Sequence, residues 1–158
     1  MKKGIIGTMA LAVGGVIGAV AMGKVMNRKV NGEHKLAEKH LGLMRVLDQW
    51  VAVKQEGKHL ASYFEKNGYK KIAIYGMSYL GERLLNELKN SEIQVVYGID
   101  RNADAIYSDI EVKTLEDELE PVDAIIVTAI SFFDEIEYEL ENKVNCPVIS
   151  IEDVLYDM

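Results

Sequence analysis

The spacing of apolar residues changes character twice along the chain. Gly4 to Gly23 is a run of twenty residues without a charge. A helix of that length, at about 1.5 Å per residue, reaches across roughly 30 Å of bilayer hydrocarbon. Next, Leu36, His40, Leu43, Leu47 and Trp50 recur at steps of four and three, which is one stripe of a helix. Lys54 and Gly57 interrupt that stripe. Leu60, Ala61 and Phe64 resume it, and Asn67-Gly68 marks a helix stop. Residues 33–67 therefore read as one long helix or as two with a break near Gly57.

From residue 68 short β-rich runs alternate with helical stretches. The strands expected are Lys70–Tyr75, Gln94–Ile99, a short edge piece at Ile110–Val112, Val122–Val127 and Pro147–Ile151. Leu80, Leu84 and Leu88 place a helix after the first strand. Thr114 opens a LEDEL segment, with Asp117 placed for a capping box. Ser131 and Asp134 are positioned to cap a helix whose Phe132, Ile136 and Leu140 face inward. Ser150 is positioned to cap a terminal turn carrying Val154 and Leu155. Strands separated by helices imply parallel pairing through right-handed crossovers. The fold class expected is α/β: a small doubly wound, Rossmann-like parallel sheet of four or five strands in the order 3-2-1-4-5, preceded by a transmembrane helix and a helical stalk. The domains fall at 1–23, 24–67 and 68–158.

Charge divides the chain in the same way. Of 158 residues with a net charge of −7, residues 1–58 hold ten Lys/Arg and four Asp/Glu, whereas residues 59–158 hold eight and twenty-one. A basic arm directly after an apolar run suits an anionic membrane surface. An acidic body repels a nucleic-acid backbone, so no nucleic-acid partner is expected. Lys24, Arg28, Lys29, Lys35 and Lys39 outnumber Lys2 and Lys3. The positive-inside rule then gives a single-pass cell-membrane protein with residues 24–158 in the cytoplasm. The competing reading is a cleaved signal peptide, with Ala19-Val20-Ala21 at the cleavage site; the length of the run favours the anchor. Ala10, Gly14 and Gly18 lie four apart and form a small-residue stripe through which two anchors could pack as a homodimer.

The first strand runs into Gly76-Met77-Ser78-Tyr79-Leu80-Gly81, which matches GxGxxG at its first and third glycines and has serine at the second. Asp100 ends the second strand nineteen residues after Gly81. Gly76 permits a tight turn, Gly81 lets the helix approach the sheet, and the helix N-terminus offers free N–H groups to a phosphate. Ser78 either blocks the approach of a pyrophosphate to the backbone or supplies a hydroxyl to it. Arg101, directly after Asp100, either meets a ribose phosphate or pairs with that acid at the surface. Thr128 lies past the fourth strand, at the edge where ligands of such sheets bind. The candidate cofactor-binding set is thus Gly76, Ser78, Tyr79, Leu80, Gly81, Asp100, Arg101 and Thr128.

Over residues 68–158 the chain resembles NAD(P)-binding Rossmann domains. The stretch GYKKIAIYGMSYLGERLLNELKNSEIQVVYGIDRNA is similar to the small Rossmann modules of bacterial polysaccharide-biosynthesis proteins, where they accompany sugar-nucleotide epimerase, dehydratase, acetyltransferase or glycosyltransferase parts. The resemblance implies a nucleotide, NAD(P) or nucleotide-sugar as ligand and a polysaccharide-biosynthesis enzyme as partner.

Catalytic signatures are missing. None of the eight tyrosines has a lysine four residues on, the pair an epimerase-type enzyme uses. No GxSxG or P-loop lysine motif occurs, and no histidine follows His59. The spacing of His34, His40 and His59 does not suit a metal site, and Cys146 reads as a structural thiol. The leading expectation is a membrane-anchored, non-catalytic module. Alternatives are an oxidoreductase or epimerase completed by a partner chain, an S-adenosylmethionine binder using Asp100, and a scaffold with an empty cleft.

Overall fold

The computed structural model describes residues 33–158. Gly4–Gly23, expected to span a membrane, and the Ala10, Gly14 and Gly18 stripe lie outside the described residues. Among those described, no helix is long and apolar enough to cross a membrane. The chain forms two compact units, Met1–Leu41 and Gly42–Met158. The described residues of the first, 33–41, are helical and exposed, Leu36 and Leu41 included.

In the second unit, helical residues 42–55 form α1, and α2 follows at Leu60–Asn67. The break expected near Gly57 is present, and Gly68 closes α2 in the left-handed conformation at φ 76°. Alternation then proceeds through β1 (Lys71–Tyr75), α3 (Tyr79–Leu88), β2 (Gln94–Ile99), β3 (Val112–Lys113), β4 (Ala124–Val127), α4 (Phe133–Leu140), β5 (Val148–Ser150) and α5 (Ile151–Tyr156). The five strands form one sheet in the order β3-β2-β1-β4-β5, and every pair is parallel. The α/β class and the strand order thus follow the alternation in the sequence. Residues of β1 and β4 are almost wholly buried, as strands covered on both faces must be.

The two faces are covered unequally. On the first, Ile72, Ile74, Ala124 and Ile126 pack with Val46, Trp50 and Val53 of α1, and with Leu60, Phe64, Leu80, Leu84, Leu88, Val154 and Leu155 of other helical segments. On the second, Ala73, Tyr75, Tyr97, Ile99, Ile125 and Val127 pack with Phe133, Ile136 and Leu140 of α4, with the apolar residues of the 115–122 loop and with Val144, Cys146 and Val148. A register shift against β1 leaves Val96 without a partner, and both Val96 and Tyr97 join this second face.

Four local expectations are corrected. The LEDEL segment is a turn and not a helix. The Asp117 carboxylate accepts the Thr114 N–H (2.7 Å) and hydroxyl (2.9 Å), but Pro121 leaves too few residues to propagate a helix. Ser131 caps nothing: it lies inside a 3₁₀ turn, Ile130–Phe132, and α4 starts without a side-chain cap. Phe132 is 44% exposed, while Ile136 and Leu140 are buried as expected. Ser150 does cap α5, its hydroxyl accepting the Glu152 N–H at 3.2 Å. The single stripe expected along the first helix is divided. Trp50 turns to the body, whereas Leu36 and Leu47 stay exposed.

Glu87 on α3 joins three helices. Its carboxylate accepts the Trp50 indole N–H (2.7 Å), the Leu60 backbone N–H (2.9 Å) and a proton of the Lys54 ammonium (2.9 Å). Burial alone would raise its pKa, but the Leu60 amide, Lys54 and Trp50 outweigh burial and hold it below the ordinary glutamate value. A carboxylate with a lowered folded-state pKa stabilises above its unfolded pKa, and that stabilisation disappears as pH falls through the folded value. Glu87→Ala is expected to lower unfolding stability by about 2–3 kcal/mol at neutral pH in urea titrations. Glu87→Gln is expected to cost less, and its difference from the parent protein to disappear as pH falls through the lowered pKa of Glu87.

Candidate functional site

The carboxyl edge of the sheet is where the chain turns out of β1 toward one face and out of β4 toward the other. Gly76 follows Tyr75 at φ 96°, a conformation that side-chain-bearing residues rarely adopt. A methyl group on it would come within 2.9 Å of Thr128 Oγ1 and 3.1 Å of the Ala129 nitrogen. At Gly81 a methyl group would collide with the carbonyl oxygen of Gly76. The two glycines of the motif therefore serve two contacts: Gly76 lets the end of β4 lie against the turn after β1, and Gly81 lets the first turn of α3 lie directly on that turn. Both Gly76 and Gly81 are buried.

Asp100 is brought to this turn across the sheet. One carboxylate oxygen accepts the Met77 N–H at 3.0 Å, and the other accepts the Asn102 N–H at 2.9 Å. The Met77 side chain is 2% exposed and lies over Gly98 of β2, where a methyl group would come within 2.6 Å of its Cγ. Gly98 is the signal that a reading of the sequence passes over: glycine inside a strand marks a close approach, here by Met77.

The remaining candidates separate. Ser78 is exposed at the N-terminus of α3, and its hydroxyl caps nothing. Tyr79 beside it is 74% exposed. Leu80, by contrast, is a core residue at 3% exposure and can offer a ligand only its backbone. Thr128 is also buried, and its hydroxyl is directed at the Gly76 carbonyl (2.5 Å) and the Tyr75 carbonyl (3.2 Å). It fastens the end of β4 to the turn after β1 and has no hydrogen left for a ligand. Arg101 turns away from the α3 turn to α4, where its guanidinium donates to Glu135 (2.7 Å) and Glu139 (3.0 Å). Beneath it the Tyr75 hydroxyl is buried without a hydrogen-bond partner among the described residues. Burial raises the pKa of that phenol, and the neighbouring Arg101 charge opposes the rise.

Gly76, Ser78, Tyr79, Gly81 and Asp100 are thus gathered at one turn, while Leu80, Arg101 and Thr128 are committed to the fold or to α4. The exposed helix N-terminus at Ser78 and Tyr79 carries unpaired amides and the positive end of the helix dipole, which suits an anion. Asp100 suits a hydroxyl donor.

Two grooves lie elsewhere, on the thinly covered face. One, of about 480 Å³, runs between α4 and β5 past Asp134, Glu137, Tyr138 and Cys146. The other, of about 220 Å³, lies between Tyr97, the 119–122 loop and residues 143–146. The Tyr97 hydroxyl donates to the Glu120 carbonyl (2.8 Å), and burial pushes its pKa up to about 12. Cys146 lines both grooves. Burial raises its pKa, which keeps it a thiol and a poor nucleophile.

The parallel order β3-β2-β1-β4-β5 and the glycine-built turn into α3 define an α/β domain of Rossmann-like arrangement. Residues 68–149, more than half of the chain, match the family described as C2185-like, N-terminal, and the protein belongs to that family. No curated protein and no solved structure matches the chain.

Gly81→Ala is expected to destabilise the domain by about 2–3 kcal/mol or to prevent folding, since the obstructing atom is backbone and cannot swing aside. Thr128→Val is expected to cost about 1–2 kcal/mol in urea titrations and to leave ligand responses unchanged.

Proposed function

We propose that the chain is a membrane-anchored Rossmann-type module that binds a nucleotide or nucleotide-sugar, NAD(P) included, and acts without catalysis beside an enzyme of cell-envelope polysaccharide biosynthesis. The observation that carries the ligand reading is the β1–α3 turn. Asp100 is fixed against the Met77 amide, next to an exposed helix N-terminus at Ser78 and Tyr79. A phosphate would use the amides of the helix N-terminus, and a ribose hydroxyl would donate to a lone pair that Asp100 keeps beside its bonds to Met77 and Asn102. The anchor reading rests on the uncharged Gly4–Gly23 run and the lysines and arginines after it. The accessory role rests on the absence, in the sequence, of a tyrosine–lysine pair or a histidine near this turn.

A second reading, a scaffold without a ligand, draws on the Thr128 hydroxyl, which closes β4 onto Gly76 where the two turns diverge. Thermal unfolding of the full chain in detergent separates the two. NAD(H), NADP(H), UDP-sugars and CMP-sugars are the ligands to add. At about 100 times its dissociation constant a true ligand adds roughly 2.7 kcal/mol of stability. Asp100→Ala is expected to abolish that gain. A melt unchanged by every ligand would leave the scaffold. Membrane fractionation with protease accessibility tests the anchor: residues 24–158 are expected to stay membrane-bound and cytoplasmic, and release of a shortened soluble chain would indicate a cleaved signal.

A further inference from the structure

An acidic helix face, an apolar floor and a free strand edge meet in the groove between α4 and β5. Asp134, Glu137 and Glu141 line it at steps of three and four, so a single face of α4 carries all three. Val144, Cys146 and Val148 supply the apolar floor. The far side is β5, an edge strand of the sheet. The Pro147 carbonyl accepts the Ile125 N–H, so by alternation the Val148 N–H and C=O project away from β4. Neither has a partner among the described residues.

The charge pattern selects the occupant. The three carboxylates are exposed and form no ion pair among the described residues, whereas Glu135 and Glu139, on the next face of α4, are held by Arg101. Glu141 stands at the C-terminal end of α4, where a negative charge opposes the helix dipole and the last turn offers no basic residue. Nucleic acid and anionic lipid are repelled by such a wall. A metal ion does not suit it either, since among the described residues no group of three His, Cys, Asp or Glu side chains could hold one. The complement is a row of cations. A rise of about 1.5 Å per residue sets Glu141 roughly 10 Å along the helix from Asp134. In an extended chain alternate side chains share a face about 6.7 Å apart, so lysines or arginines at every second position reach along that length. Their aliphatic stems would cover the apolar floor while their charged ends meet the carboxylates. The backbone of the same segment would pair with the Val148 edge. We propose that this groove is the docking site for a basic, extended segment of a partner protein, laid alongside β5 as an added strand with Lys or Arg at every second position. The proposal does not depend on the ligand reading.

Fluorescence anisotropy of a dye-labelled peptide of alternating lysine and valine, added to the full chain in non-ionic detergent, tests it. Affinity is expected to fall with salt and to drop about tenfold or more in Glu137→Lys. A peptide of the same composition with its lysines in one block is expected to bind about fivefold more weakly. N-methylation of one alternate set of amides in the first peptide is expected to abolish binding, and methylation of the other set to leave it intact. Saturating peptide is expected to block alkylation of Cys146 on the groove floor. An absence of binding would overturn the proposal, as would binding indifferent to Glu137→Lys, equal affinity for the block peptide, equal tolerance of both methylated sets, or a bound peptide that leaves Cys146 open to alkylation. Self-association of the full chain that Glu137→Lys dissolves, with the peptide unbound, would assign the groove to a second copy instead. Because Glu137 is exposed and unpaired among the described residues, its substitution is expected to leave the melting temperature unchanged, which separates loss of docking from loss of folding.

Discussion

The contact between the Gly81 backbone and the Gly76 carbonyl is the constraint on which the arrangement depends. It sets α3 directly on the end of β1, and β1 is the central strand. With α3 in that position, Glu87 sits where α1 and α2 can both be fastened to it. The turn also points its Met77 amide at the end of β2, where Asp100 receives it. A side chain at Gly81 would push the helix outward, and each of these later contacts would lengthen with it. One missing methyl group therefore organises two helices, a strand end and the candidate site.

The parts of this fold that depend on neighbours in sequence are legible in the chain, and those that depend on neighbours in space are not. Runs such as AIIV and QVVYGI are apolar because both faces of the sheet are covered, so the residue pattern alone places their strands. Gly76, Gly81 and Asp100 are legible because the turn demands them locally. LEDEL misleads because its capping contact forms without the helix that such a contact usually starts. The stripe on the first helix misleads because spacings of three and four cannot distinguish the side that meets the body from the side beyond it. Arg101 is read in the sequence toward a ribose phosphate or toward Asp100 beside it, yet in the fold it pairs with Glu135 and Glu139, which lie more than thirty residues on and come near only through the packing of α4. Thr128 stands at a ligand-binding edge in the sequence, yet in space its hydroxyl is occupied by the Gly76 carbonyl.

The two faces of the sheet differ in how much holds them. The first carries most of the helical cover, and the second carries α4 and a loop, with grooves on either side of Cys146. Local opening requires few lost contacts where cover is thin. The side bearing α4 and β5 is thus the softer one, and the Arg101 bridge to Glu135 and Glu139 ties it back to the end of β2. That bridge is solvent-exposed and contributes little to stability by itself. Its importance lies in position: among the described residues it is the ion-pair link between α4 and the strand end that carries Asp100.

The fastening of α1 also has a mechanical side. Tension arriving from the N-terminal direction enters this unit at residue 42, well before the first strand. To reach β1 it must first drag Val46, Trp50 and Val53 out of the core and rupture the bonds that Glu87 makes to Trp50, Lys54 and Leu60. The helix therefore works as a strain relief, like the clamp on a cable, and the turn at Gly76 is shielded from any pull on the chain ahead of it.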